Sequence, residues 1–221
     1  MSHDTKLPPS LLLALDEAPR DRPVALLLRH AERPPIPPGE VGNDLPLTPV
    51  GVRHARALGE WLGGRLVGLR ASPLPRCTQT AAALSEGAGV DLPIPEDRLL
   101  GDPGGYILDG QRAWETFGRM SLLEIAAHLA AGRDDLPGFA APRTAARGLI
   151  EHLFEHASER AGVHAFVTHD LLVAVTAAML LDLTPTADDW PGYLEGALLW
   201  REGPQLHLRY RDRTGRRRSP W

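Results

Sequence analysis

Pro23-Val24-Ala25-Leu26-Leu27-Leu28-Arg29-His30-Ala31-Glu32-Arg33 decides how this chain is read. Five apolar residues run without a break and end in a cation and an imidazole. A run this short, with no polar alternation, fits a strand buried on both faces of a parallel sheet. In open α/β sheets, ligands bind just beyond the carboxyl ends of the strands. Such a strand delivers Arg29 and His30 to the place where a ligand sits. An arginine beside a nitrogen nucleophile suits chemistry on phosphate.

Outward from that strand, residues 34–47 are rich in Pro and Gly, which excludes regular structure. Thr48-Pro49 predicts a helix start, with Thr as N-cap and Pro in the first helical position. Val52, Ala55, Leu58 and Leu62 follow at helical spacing, and Gly63-Gly64 stops the helix. Residues 66–69 read as a second strand, Ser72-Pro73-Leu74-Pro75-Arg76 as a turn, and residues 77–84 as a helix. Residues 91–98 form a connector able to add an edge strand, and residues 101–105 a loop. Helices are expected over 120–131 and 144–160. Residues 163–168 are another buried strand, ending in His169-Asp170, and residues 171–181 a buried helix. Residues 196–200 and 205–210 pair as a closing hairpin. Residues 1–22 read as a polar lead-in with one apolar patch, and residues 211–221 as a basic, flexible tail. Strands alternating with helices give an α/β class with parallel pairing. If the three strands are neighbours, His30, Arg76 and His169 meet at one edge of the sheet.

The composition sets the outer bounds. A chain of 221 residues with 43% hydrophobic content is read as one domain over 1–221. A net charge of −4 gives no general attraction to nucleic acid or acidic membranes. The one cysteine, Cys77, excludes an internal disulfide framework and fits a reducing compartment as a core thiol. No stretch reaches the roughly 18 apolar residues of a membrane span, and the first residues lack the pattern of a signal peptide. A cytoplasmic location is expected, with a small phosphorylated substrate and no nucleic-acid or membrane partner. Oligomeric state stays open.

A phosphate monoester at that sheet edge finds matched groups. Guanidinium forks from Arg29 and Arg76 would each offer paired hydrogen bonds to its oxygens. Ser72 and the start of the following helix would add backbone N–H groups. Neutral His30 would attack phosphorus, and the neighbouring arginines favour that neutral form. Water would then release phosphate from the phosphohistidine, with His169 stabilising charge on the equatorial oxygens. No metal or cofactor is required. The leaving alkoxide needs a proton, and two carboxylates are candidates, Asp170 and Asp102. Asp170 also sits where an N-cap for the 171–181 helix belongs, and Asp102 where a turn begins.

The motifs Leu28-Arg29-His30-Ala31-Glu32-Arg33, Leu47-Thr48-Pro49-Val50-Gly51, Ser72-Pro73-Leu74-Pro75-Arg76-Cys77-Thr78-Gln79-Thr80 and Val167-Thr168-His169-Asp170 together resemble the histidine phosphatase superfamily. The resemblance spans residues 24 to about 181. It implies the phosphoglycerate mutase-like fold, a three-layer α/β/α arrangement with a mostly parallel central sheet. It also implies His30 as the phosphorylated nucleophile and Arg29, Arg76 and His169 as the phosphate pocket. Ala31 stands where the family usually has Gly. Arg33 departs from the small branch, and Arg29-His30-x-x-Arg33-x-Pro35 resembles the acid-phosphatase branch, as does His169-Asp170. Arg33 is therefore carried over as a fifth pocket residue. The acid-phosphatase features make Asp170 the preferred donor, with Asp102 the alternative because the small branch places its donor where that residue falls. The long insertions of glycolytic mutases are not evident, so hydrolysis is preferred to mutase-like phosphotransfer.

Two rivals come from other classes. His152-Leu153-Phe154-Glu155-His156 has the H-x-x-E-H spacing of a zinc peptidase, against an ordinary solvated helix face with no third ligand in view. Arg209, Arg211, Arg213, Arg216, Arg217 and Arg218 would suit a non-catalytic anion-binding protein, against a solvated terminus.

Overall fold

The computed structural model of the chain describes residues 7–157 and 159–218. Pro23–Arg29 forms β1, and all its interior residues are buried. They alternate between two separate cores. Ala25 and Leu27 join one, while Val24, Leu26 and Leu28 join the other. This is the period-two geometry of a strand between two helical layers, and it is why the run carries no polar alternation.

Leu66–Ala71 (β2) and Gly162–Thr168 (β3) lie parallel to β1, in the order β2-β3-β1. On the other side Gly196–Glu202 (β4), Gln205–Tyr210 (β5) and Arg213–Arg218 (β6) continue a six-stranded sheet, each antiparallel to its neighbour. The sheet is therefore mixed: β1, β2, β3 and β5 run one way, and β4 and β6 run against them. Pro9–Glu17 (α1), Pro49–Leu62 (α2) and Pro75–Ala88 (α3) cover one face. Gly110–Phe117 (α4), Leu122–Ala130 (α5), Pro142–His156 (α6) and Asp170–Leu181 (α7) supply the core of the other.

Thr48 caps α2 as its sequence predicts, its hydroxyl accepting the Gly51 N–H at 2.9 Å. α2 then lies against α3 without side chains between them at two places. A Cβ on Gly59 would overlap the Leu84 carbonyl, and one on Gly87 would overlap the Arg56 carbonyl. No helix among the described residues is long and apolar enough to cross a membrane.

Four expectations need correction. The lead-in contains α1, whose Leu11, Ala14 and Leu15 are buried at helical spacing; residues 1–6 lie outside the described residues. Residues 110–117, to which the sequence assigns no element, form a helix. Asp109 caps it, accepting from the Gln111 and Arg112 N–H groups. The 91–98 connector adds only an isolated bridge between Ala71 and Glu96. Finally, the basic tail is not free: residues 213–218 pair with β5 along its whole length. Arg213 bonds Asp189 at 2.8 Å, and Arg217 donates to the Leu180 carbonyl at 3.1 Å and pairs with Asp182. Polarity does not exclude a strand here, because an edge strand can stay polar while its backbone is paired. Residues 219–221 of that tail lie outside the described residues.

Candidate active site

The site forms where β1, β2 and β3 end side by side. The His30 N–H donates to the Thr168 carbonyl at the end of β3, and the Arg29 N–H to the Glu195 carbonyl, both at 2.9 Å. His30 is 3% exposed. Its Nδ1 lies 2.7 Å from the Ala31 carbonyl oxygen. A carbonyl only accepts, so Nδ1 carries the proton and Nε2 keeps its lone pair. Burial pushes the imidazole down to about 3, and the charges of Arg76, Arg29 and Arg33 reinforce burial against the opposing pull of the Ala31 bond. At neutral pH, His30 is an uncharged base with one available nitrogen.

Arg76 stands in the first turn of α3, 6% exposed. One Nη donates to the Gly42 carbonyl at 2.8 Å, and the other lies 3.4 Å from His169 Nδ1. His169 precedes α7 as its N-cap residue. Guanidinium only donates, so Nδ1 of His169 accepts and the ring proton sits on Nε2, 3.0 Å from the Ser72 hydroxyl. Burial first, then the surrounding cations and His30, hold His169 well below the ordinary imidazole range. The two imidazoles lie edge to face, ring centres 5.6 Å apart.

Arg29 is clamped. It meets Asp170 Oδ2 at 2.9 Å, donates to the Pro191 carbonyl at 2.6 Å and lies over the Tyr193 ring at 4.4 Å. Arg33 donates to the Pro34 carbonyl at 2.7 Å. Arg29, Arg33 and Arg76 each keep a buried Nε–H without a hydrogen-bond partner. Arg209 and Arg211, outside this cavity, have the same bare Nε–H, so what suits this place to an anion is the gathering of Arg29, Arg33 and Arg76 charge round one imidazole.

The two candidate donors differ. Asp170 is not the cap of α7 but its first residue. Its Oδ1 accepts the Leu171 N–H at 2.9 Å and its Oδ2 meets Arg29, so both oxygens are engaged. Asp102 has a buried Oδ1 with no partner. Burial, then the nearby Asp170 charge, push its carboxyl up to about 6 against the pull of Arg76.

A cavity of about 500 Å³ opens here, and His30, Arg33, Arg76, Asp102, His169 and Asp170 line it. Arg29 and Ser72 stand outside its lining. Ser72 requires a correction. It is fully buried, its N–H is used by the Val167 carbonyl at 2.9 Å and its hydroxyl by His169. It orients the second imidazole and has no backbone N–H to offer a phosphate. Cys77 is the core thiol expected, pushed up to about 12 by burial.

Several supporting residues escaped the sequence reading. Thr80 accepts the Ala31 N–H at 3.0 Å, and Gln79 accepts the Leu47 N–H at 2.8 Å, tying the Pro-rich loop to α3. Both lie in the motif already singled out, one helical turn beyond Arg76, which was the available signal. Tyr193 is an isolated aromatic in a loop, and nothing local announces it.

His152, Glu155 and His156 do cluster, their ligand atoms all within 4.8 Å of one another. Yet His152 Nε2 is engaged by Asp97 Oδ2 at 2.5 Å, and none of the three lines the His30 cavity.

Comparison with known proteins agrees with this geometry. The family model described as histidine phosphatase superfamily (branch 1) matches residues 25–194. Among solved structures, a phosphoserine phosphatase mutant from Entamoeba histolytica in complex with phosphoserine superposes with a TM-score of 0.57 at 17% identity, covering 87% of this chain and 96% of that one. Bacillus stearothermophilus YhfR gives 0.57 at 20%, covering 84% and 95%. The mycobacterial glucosyl-3-phosphoglycerate phosphatase Rv2419c, complexed with VO3, gives 0.51 at 23%, covering 91% and 98%. These likenesses establish the phosphoglycerate mutase-like fold. No curated protein matches the chain.

Proposed function

The chain belongs to the histidine phosphatase superfamily, and from that membership we propose that it hydrolyses phosphate monoesters through a phosphohistidine on His30. The observation that carries the proposal is a neutral imidazole, its Nδ1–H held by Ala31, with the guanidinium groups of Arg29, Arg33 and Arg76 gathered round it.

In the first step, Nε2 attacks phosphorus opposite the leaving oxygen. The N–P bond forms as the P–O bond to the alcohol breaks. Arg33 and Arg76 neutralise the transferring group from the cavity wall, and Arg29 adds its charge from behind. Asp102 gives its proton to the departing alkoxide. A carboxyl with a value of about 6 is suited to donate near neutral pH and to take the proton back. In the second step its carboxylate accepts a proton from water, the resulting hydroxide attacks phosphorus, and the N–P bond breaks to release inorganic phosphate. Asp170 serves in this scheme as the partner that holds Arg29.

The test is covalent labelling. Protein incubated with radiolabelled phosphoramidate should carry an acid-labile, base-stable phosphoryl group that maps to residue 30 and is absent from His30→Ala. Turnover of an aryl phosphate by His30→Ala at the unmodified rate would overturn the proposal.

A further inference from the structure

On the phosphatase reading above, we propose that the alcohol half of the substrate carries a large apolar body, as in a long-chain alkyl phosphate, and binds along the outer wall of the His30 cavity. The cavity has two chemically different ends. Its cationic lining, Arg33 and Arg76, goes with His30, and of these His30 and Arg76 are 3% and 6% exposed. The outer wall holds Ile36, Val41, Trp114 and Leu122, with Phe117 beside them.

Ile36, Val41, Trp114 and Leu122 are 36%, 51%, 43% and 42% exposed. Among the described residues the only other large hydrophobics so exposed are Leu13, Leu99 and Leu108, none of which lines the cavity. Most of the open apolar side chains thus surround one mouth. They also come from separate segments: the Pro-rich loop gives Ile36 and Val41, α4 gives Trp114, and the start of α5 gives Leu122. Convergence of independent segments is unlike the chance apolar stripe of a single helix. Contiguous exposed apolar surface of this kind marks a binding site.

Charge narrows the class. Beyond Arg33 and Arg76, no Arg or Lys lines the cavity, while Glu40 adds a carboxylate. The two guanidinium groups are needed for the phosphate, so a second acidic group on the substrate would meet no further Arg or Lys on the wall. The hydroxyl of Ser121, also on the wall, is engaged with Glu124 at 2.8 Å in the cap of α5. A volume of about 500 Å³ lies in the range of sites that enclose whole small molecules rather than one phosphate.

A homologous series of n-alkyl phosphates, from ethyl to octyl, tests the idea, because the reacting ester stays chemically constant while the tail lengthens. Phosphate release is the readout. Each added methylene that reaches the wall should raise kcat/KM about four-fold, about 250-fold from butyl to octyl if all four do. Trp114→Ala and Leu122→Ala should each lower the octyl-to-ethyl ratio. A flat series, or 3-phosphoglycerate or phosphoserine preferred over octyl phosphate, overturns the apolar class while phosphate release leaves the phosphatase reading standing. No release from any ester, together with no label on His30, overturns both.

Discussion

At the scale of single residues, the site works by unequal treatment of like groups. Asp102 and Asp170 are both near the cations, yet one has a bare buried oxygen and the other is fully engaged. Asp102→Asn should therefore depress turnover of alkyl phosphates far more than of p-nitrophenyl phosphate, whose leaving group needs no proton. Asp170→Asn should weaken both alike by loosening Arg29. The pH profile follows. The Asp102 carboxyl, at about 6, loses its proton as pH rises through that value, so alkyl phosphate turnover should fall above about pH 6. His30, at about 3, remains neutral across that range. The sign for stability is opposite to that of an ordinary ion-paired carboxylate. The folded value of Asp102 lies above the ordinary carboxylate value of 3.8, so stability is lost as pH climbs between the two, and Asp102→Asn should raise the Tm at pH 7. For Arg76→Ala, loss of charge-assisted bonds of roughly 1.5–3 kcal/mol should lower kcat/KM about ten- to hundred-fold in an aryl phosphate assay.

At the scale of elements, what the sequence announces is what local chemistry determines. β1, the capped start of α2 and the strand before His169 are legible because burial on two faces and N-capping each leave a local signature. His30, Arg76 and His169 were therefore readable as neighbours. α4 does carry local signals, Asp109 as N-cap and Ala113, Trp114 and Phe117 at helical spacing, but over only eight residues that follow a Gly-rich loop. β6 was hidden because its pairing belongs to the backbone, which every sequence shares. The choice between Asp102 and Asp170 was illegible for another reason: it depends on which carboxylate meets Arg29 across the fold. The close α2–α3 packing, by contrast, makes a direct prediction. Gly87→Ala must push a methyl into the Arg56 carbonyl and should cost about 1–3 kcal/mol in denaturant unfolding. Because α3 carries Arg76, substrate affinity should drop with it.

At the scale of the whole molecule, the positive charge facing the cavity comes from guanidinium groups fixed to the sheet end and to the helix and loop beside it. Phosphate ester turnover should consequently survive excess chelator. Activity lost on chelation, with His30→Ala harmless, would transfer the chemistry to His152 and His156. The sheet also has a boundary with consequences. Along its last strand, Arg213 and Arg217 are paired with Asp189 and Asp182, while Arg216 and Arg218 have no acidic partner among the described residues. A second molecule laying its own last strand there would set arginine against arginine, and the repulsion of like charges refuses the union. Runaway ribbon growth between copies is thereby discouraged at this margin of the sheet.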